Sequence, residues 1–483
     1  MLVEARFLRQ FRAFLAMRNP RSLNLPSAPD YVLHRARVPA CLLADAPQGV
    51  PSDLDDALLI DIRISNGTVA ALTPAGQAPS DGIAAVDLAG RHVWPTLVDT
   101  HAHLDKAHII DRTQNPDGDF AGARDATSYD RMRYWRAEDV RRRMDFGLRC
   151  AEAHGVTAIR THLDSHDPQG DISWAVFREM RDLWRGRIEL QAAGLMPIDM
   201  YAGRYGDHLA DLVAESGGIM GGVTRASGAV HGPEMDDLDA LIDRVFTLAA
   251  ERDLDIDLHV DETSDPAATT LWNVAQATLK HGYEGRVTCG HCCSLAVQDD
   301  DRVARTIELV AKARINIVTL PTVNMYLQDR VAARTPRWRG VTLVKELRKA
   351  GIRVAMAGDN CRDPFYAYGD HDMLDTFRQG VRILHLDHPH GDAPALATNV
   401  PASIMGLPQR LIAVEHPADL IILNARSMNE LIARPQSDRI ILRAGRRQSL
   451  ELPDYGELNF VTEAKPFPRE ISAPQSVAAV AAE

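Results

Sequence analysis

Between residues 93 and 360, short apolar runs alternate with amphipathic helical stretches. Eight runs stand out: VWPTLVDTHAH, TAIRTH, IELQAAGL, IMGGV, LDIDLHVD, VTCGH, INIVTL and RVAMAGD. Helix candidates fall between most of them, among them AEDVRRRMDFGLRCAEAHG, WAVFREMRDLWRG and LDALIDRVFTLAAERD. That alternation marks parallel βα units. Eight of them predict an α/β fold of the (β/α)8 TIM barrel kind, with chemistry at the C-terminal ends of the strands.

The chain ends have a different texture. From Tyr31 to His92 the pattern is short and alternating, as in YVLHRARVPACLL and IDIRISNGTVAALTPAG, with a hairpin turn at Asn66 and Gly67. PADLIILNA and RIILRAGRR repeat that texture after the barrel. Residues 31–92 and 412–462 are therefore expected to build one small β-sandwich from both chain ends, with the barrel over 93–411. Residues 1–30 read as a helical extension: Phe7, Phe11, Phe14 and Leu15 share one face, and Arg6, Arg9 and Arg12 lie mostly off it. Docking on this subunit or a sister subunit suits that face better than a membrane surface or a transit peptide. Residues 463–483 form an Ala- and Pro-rich tail.

At 483 residues and 45% hydrophobic composition the chain can bury a large core and a smaller one. Its net charge of -12 is spread out and no basic stripe occurs, so nucleic acid is not an expected partner. The six cysteines do not have the spacing of a disulfide framework. No apolar run reaches the roughly 18 residues of a spanning helix. A cytoplasmic homo-oligomer without membrane contact is the expectation, its partners a small molecule and water.

The barrel strand ends carry His101 and His103 after the first run, His259 after the fifth, His291 after the sixth and Asp359 after the eighth. A closed barrel brings them to one mouth. Side chains alternate along a strand, so His101 and His103 point the same way and can share an ion, while Ala102 faces the other way. Imidazoles with one carboxylate suit Zn2+ or Fe2+. One H-x-H is weak evidence; five such residues at strand ends indicate metal binding. CGHCC has no second cysteine pair at workable spacing and reads as small buried thiols around His291. His162 and Asp164 either line the pocket or are structural, and His108, His166 and His371 read as solvated loop residues.

The order H-x-H, His, His, Asp over strands 1, 5, 6 and 8 resembles the amidohydrolase superfamily. HAHLDKAH, AIRTHLD, DLHVDET, PTVNMYLQDR, TPRWRGVTLVKELRKAGI and GDNCRDPFYAYGDHDML are similar to segments of its cytosine deaminase-like branch, over roughly residues 90 to 415. The resemblance implies that His101, His103, His259 and Asp359 hold one divalent ion per chain, Zn2+ or Fe2+. It makes His291 the histidine that steadies the developing negative charge and Glu262 the proton shuttle. A divalent ion lowers the pKa of water towards about 7, and Asp359 beside it can take the proton. Amide ion is a poor leaving group, so Glu262 must supply protons to the ring and to the departing nitrogen. Two-metal relatives bridge their ions with a carboxylated lysine at the end of strand 4. Here no lysine occurs between Lys106 and Lys280, which favours one ion.

The resemblance implies substrate contacts from Gln191, Asn324, Asn360 and Phe365, with Asp363 and Tyr366 nearby. The branch usually reads its pyrimidine through a glutamine after strand 3; the matching position here is Pro197, which has no polar side chain. Asn360 replaces an aspartate and Phe365 a tryptophan. Deamination of a nitrogen heterocycle other than cytosine is therefore expected. Hydrolysis of an N-alkylamino or cyclic amide group, as in N-isopropylammelide-type amidohydrolases, is the alternative. A non-catalytic scaffold would have lost ligands that are all present.

Overall fold

The computed structural model describes residues 23–78, 82–228 and 235–463. Most of the expected N-terminal helical extension and nearly all of the tail lie outside these residues. The chain divides into two compact units, residues 1–94 with 412–448, and 95–411 with 449–483. Among the described residues no helix is long and apolar enough to cross a membrane.

The first unit is the β module built from both chain ends. Its strands hydrogen-bond as one eight-stranded sheet in which Tyr31–Pro39 pairs with Ala57–Ser65 on one edge and with Ala84–Asp87 and His92–Pro95 on the other. Leu420–Leu423 and Ile440–Arg443 from the far end of the chain extend it. Its boundaries differ from the sequence expectation in two places. His92–Pro95 belongs to this sheet, so the run VWPTLVDTHAH is split between the units. Residues 449–462 leave it: Leu458 and Val461, three apart and on one face of a short helical turn, bury against Phe146 and Cys150 of the second unit.

The second unit is the barrel. Its strands are β1 (Leu97–Ala102), β2 (Val156–Asp164), β3 (Glu189–Leu195), β4 (Met220–Val223), β5 (Ile256–Val260), β6 (Val287–His291), β7 (Asn316–Thr319) and β8 (Val354–Met356). Neighbours pair in parallel from β1 to β3 and from β4 to β8. Parallel bridges Ala193–Ile219 and Ala102–Asp359 close the ring. The runs are short, apolar and β-branched because both faces of such strands are buried. Aspartates start several of the intervening helices: Asp119 accepts from Gly122 N, Asp299 from Arg302 N, and Asp372 from Leu374 N and Asp375 N. Gly282, at φ +68°, ends Thr270–His281 in the left-handed cap that glycine adopts without a Cβ clash.

Candidate active site

The inward faces of β1, β5 and β8 converge on one cluster. His101 Nε2 lies 3.1 Å from His259 Nε2, His259 Nε2 lies 3.4 Å from His103 Nε2, and Asp359 Oδ1 lies 3.0 Å from His103 Nε2 and 3.6 Å from His101 Nε2. Donors on a tetrahedral ion with bonds near 2.1 Å stand about 3.4 Å apart, which is the spacing found. Neither oxygen of Asp359 has a hydrogen-bond partner among the described residues, although the residue is only 2% exposed. Three ring nitrogens and a carboxylate packed this closely in a buried site are costly unless a cation sits among them. Burial drives all three imidazoles well below their ordinary pKa, into the neutral form that ligates, and pushes the Asp359 carboxyl up.

The surroundings aim these groups. The His162 carbonyl lies 3.2 Å from His103 Nδ1, which places the ring proton there and leaves Nε2 as the donor. Gly290 of β6 gives the His101 ring room; a Cβ there would sit 3.0 Å from His101 Cε1. Asp99 accepts from Gly358 N at 3.0 Å and His101 N at 3.3 Å, and so ties β1 to the end of β8. Asp359 itself stands at φ +63° and His291 at φ +69°, left-handed conformations that are uncommon outside glycine and gather at functional sites.

Beside the cluster stands a second group. The Asn324 amide nitrogen donates to Glu262 Oε1 at 3.2 Å and to His291 Nδ1 at 2.9 Å, so His291 carries its proton on Nε2, an atom with no partner among the described residues. Burial, then repulsion from Asp359, pushes the Glu262 carboxyl up to about 8, and burial lowers His291 to about 4. At neutral pH the pair is thus a protonated carboxyl and a neutral imidazole, two hydrogen donors. Glu262 is held in place by its neighbour Asp261, whose carboxylate accepts from Thr270 N, Leu271 N and the Thr270 hydroxyl at the start of Thr270–His281.

Expected contacts fall in different places. Asn324, expected at the substrate, instead bridges Glu262 and His291. Asn360 donates to Asp363 at 2.7 Å, and Asp363 accepts from Phe365 N and Tyr366 N, so these residues shape the loop after β8. Phe365 lines a small pocket of about 60 Å3 with Lys106, Arg131, Asp164, Pro197 and Arg225. Lys106 and Arg131 both pair with Asp164, at 3.3 and 2.9 Å. Gln191 is not in that cavity. It is on the barrel floor, where its oxygen accepts from Arg160 and its nitrogen donates to Met405 O. His108 and His371, expected to be solvated, are 1% and 7% exposed.

Sequence reasoning missed two features. Arg160 and Asp257 pair at 2.8 Å, each two residues before a buried histidine, His162 and His259; the period of two was the available signal. Arg225, just beyond the end of β4, stacks 4.7 Å from the Phe120 ring, and burial lowers it to about 10. Arg160→Met leaves Asp257 buried without its cation, and should cost about 3–5 kcal/mol. Chemical denaturation checks this, and an unchanged unfolding midpoint would show that the pair carries no such weight.

The barrel and its site can now be set against known proteins. The profile described as "Amidohydrolase family" matches residues 120–443. The "Pterin deaminase" of Rhizobium rhizogenes (strain K84 / ATCC BAA-868) is 50% identical over 442 residues, 91% of this chain and 98% of that protein. The "N-isopropylammelide isopropyl amidohydrolase" of Pseudomonas sp. (strain ADP) is 25% identical over 373 residues, 75% of this chain and 87% of its own. Among solved structures, 5-methylcytosine deaminase from Klebsiella pneumoniae, liganded with 5-fluorocytosine, superposes with a TM-score of 0.72 at 23% identity, covering 88% of this chain and 99% of that one. At that identity the likeness is one of fold.

Proposed function

The chain belongs to the amidohydrolase family, and from that premise we propose that its substrate is a pterin, whose exocyclic amino group it replaces with oxygen, releasing ammonia. The chain is a metal-dependent deaminase of a nitrogen heterocycle. The pterin assignment is carried by the 50% identity that runs through nearly the whole length of both chains. It is supported by Pro197 in the cavity wall, where a cytosine-reading glutamine would otherwise stand.

His101, His103, His259 and Asp359 would hold one divalent ion, Zn2+ or Fe2+, both of which accept three imidazoles and a carboxylate. When bound, the ion makes water acidic enough to act as a nucleophile near neutral pH. Asp359 takes the proton that water gives up. His291 Nε2–H, held by Asn324, donates to the oxygen that develops negative charge. Glu262 protonates the ring nitrogen as the amino-bearing carbon becomes tetrahedral and, then ionised, relays the proton from Asp359 to the exocyclic nitrogen, which leaves as ammonia; the proton left on the new C–OH returns to Glu262 as the carbonyl forms. Carbon loses one nitrogen and gains one oxygen, with one water consumed.

The test is product release from pterin, cytosine and an N-alkylaminotriazine by enzyme reconstituted with Zn2+ or Fe2+. Pterin should give ammonia with kcat/KM at least ~100-fold above cytosine, the discrimination expected when polar contacts to a ring edge differ. Preference for cytosine, or alkylamine release as the dominant reaction, would overturn the assignment.

A further inference from the structure

A second group of buried ligand-type side chains lies in the barrel unit, outside the hydrolytic machinery. His108 follows β1, and Cys361 and His371 belong to the loop after β8. One nitrogen of each ring and the Cys361 sulfur lie within 4.8 Å of one another. His108, Cys361 and His371 are 1%, 3% and 7% exposed. Neither nitrogen of His108 has a hydrogen-bond partner among the described residues, and neither does Nε2 of His371. A neutral imidazole always carries one N–H, so His108 buries an unsatisfied donor in either tautomer, at a cost of about 1–3 kcal/mol.

The surroundings hold these groups together. His108 N donates to Cys361 O at 3.1 Å and Ile110 N to Arg362 O at 2.9 Å, which laces the two loops side by side. The His108 ring packs edge-on against Phe146 at 4.9 Å. Gly147 makes room for His371; a Cβ there would fall 2.8 Å from its Nε2. Cys361 Sγ accepts the backbone N–H of His371. His108 and His371 both adopt left-handed backbone, at φ +62° and +54°.

We propose that His108, Cys361 and His371 form a second metal site, distinct from the hydrolytic one, that takes a thiophilic d10 cation, Zn2+ or Cu+, and pins the loop after β1 to the loop after β8. One thiolate and two imidazoles are the soft donor set such ions prefer, and the absence of a carboxylate from the set disfavours Mg2+ and Ca2+. An ion here takes the lone pair of one nitrogen from each ring, while the other nitrogen of His108 keeps its N–H.

Co2+ titration of the chelator-stripped full-length protein separates the two sites, because the hydrolytic cluster contains no sulfur. The expected result is two ions per chain and a thiolate-to-Co2+ charge-transfer band. Cys361→Ser should abolish the band and one equivalent of metal, His103→Ala should keep the band and lose the other equivalent, and Cys289→Ser should keep both. Loading with Zn2+ or Cu+ alone, followed by metal analysis, tells which ion occupies the site. Should Cys361→Ser fail to fold, X-ray absorption of the Zn2+-loaded wild type still decides, by a sulfur shell near 2.3 Å. The proposal is overturned by the absence of a thiolate band and sulfur shell in wild type, or by a band that survives in folded Cys361→Ser.

Discussion

Glu262→Gln should lower kcat for pterin deamination by about 10^2–10^4-fold, the usual share of a positioned acid–base group, with metal content unchanged. Glutamine keeps the side-chain length, and its oxygen can still accept from Asn324 as Glu262 Oε1 does. What disappears is the transferable proton. The carboxyl sits at about 8 because it is buried, and because the Asp359 charge opposes ionisation further. Below that value it is protonated and can donate; as pH rises through it the donor is lost. Wild-type kcat/KM should therefore fall on the alkaline side of about pH 8, and the residual activity of the glutamine variant should lack that limb. Full activity in Glu262→Gln would remove the proton-shuttle role, while an identical alkaline limb in both would assign that limb to another group.

The meeting of His101, His103, His259 and Asp359 in one buried cluster was legible because the strands that carry it are short, apolar and buried on both faces. In such strands the period of two makes a polar side chain at the C-terminal end visible against its neighbours, as with His101, His103 and His259. The fold was legible for the same reason. Depth along the barrel axis was not: inward alternation says that Gln191 faces the axis, but not that it reaches the floor and is saturated by Arg160 and Met405. Asn324 was expected as a substrate contact, and its bridge to Glu262 and His291 depends on how Pro321–Leu327 leaves β7. His108 and His371 were misjudged because loop position suggests solvent, whereas paired loops packed against Phe146 and Gly147 exclude it. The second unit's claim on residues 449–462 was hidden because the segment is too short for the helical i,i+3 spacing of Leu458 and Val461 to stand out, and their partners Phe146 and Cys150 lie about three hundred residues earlier in the chain.

Asp359→Asn should remove the catalytic ion and most activity while leaving a folded protein, and its backbone is the reason for choosing asparagine. At φ +63° most side chains are strained, but asparagine tolerates the left-handed region nearly as well as aspartate does. The substitution therefore tests charge and ligation rather than folding. Activity should drop by at least about 10^2–10^4-fold from the lost base alone. Stability should respond in opposite directions with and without metal. Burial raises the Asp359 carboxyl in the ion-free protein, so its ionised form destabilises the fold as pH rises above the ordinary carboxylate range, and an uncharged amide relieves that. Ion-free Asp359→Asn should then melt no lower than ion-free wild type. With an ion at 1,000 times its Kd the wild type gains about 4 kcal/mol, a rise in Tm that the variant should lose in large part. A variant that keeps its full metal content and the wild-type rise would show that Asp359 is not a ligand, and the charge balance of the four-residue cluster would have to be met without it.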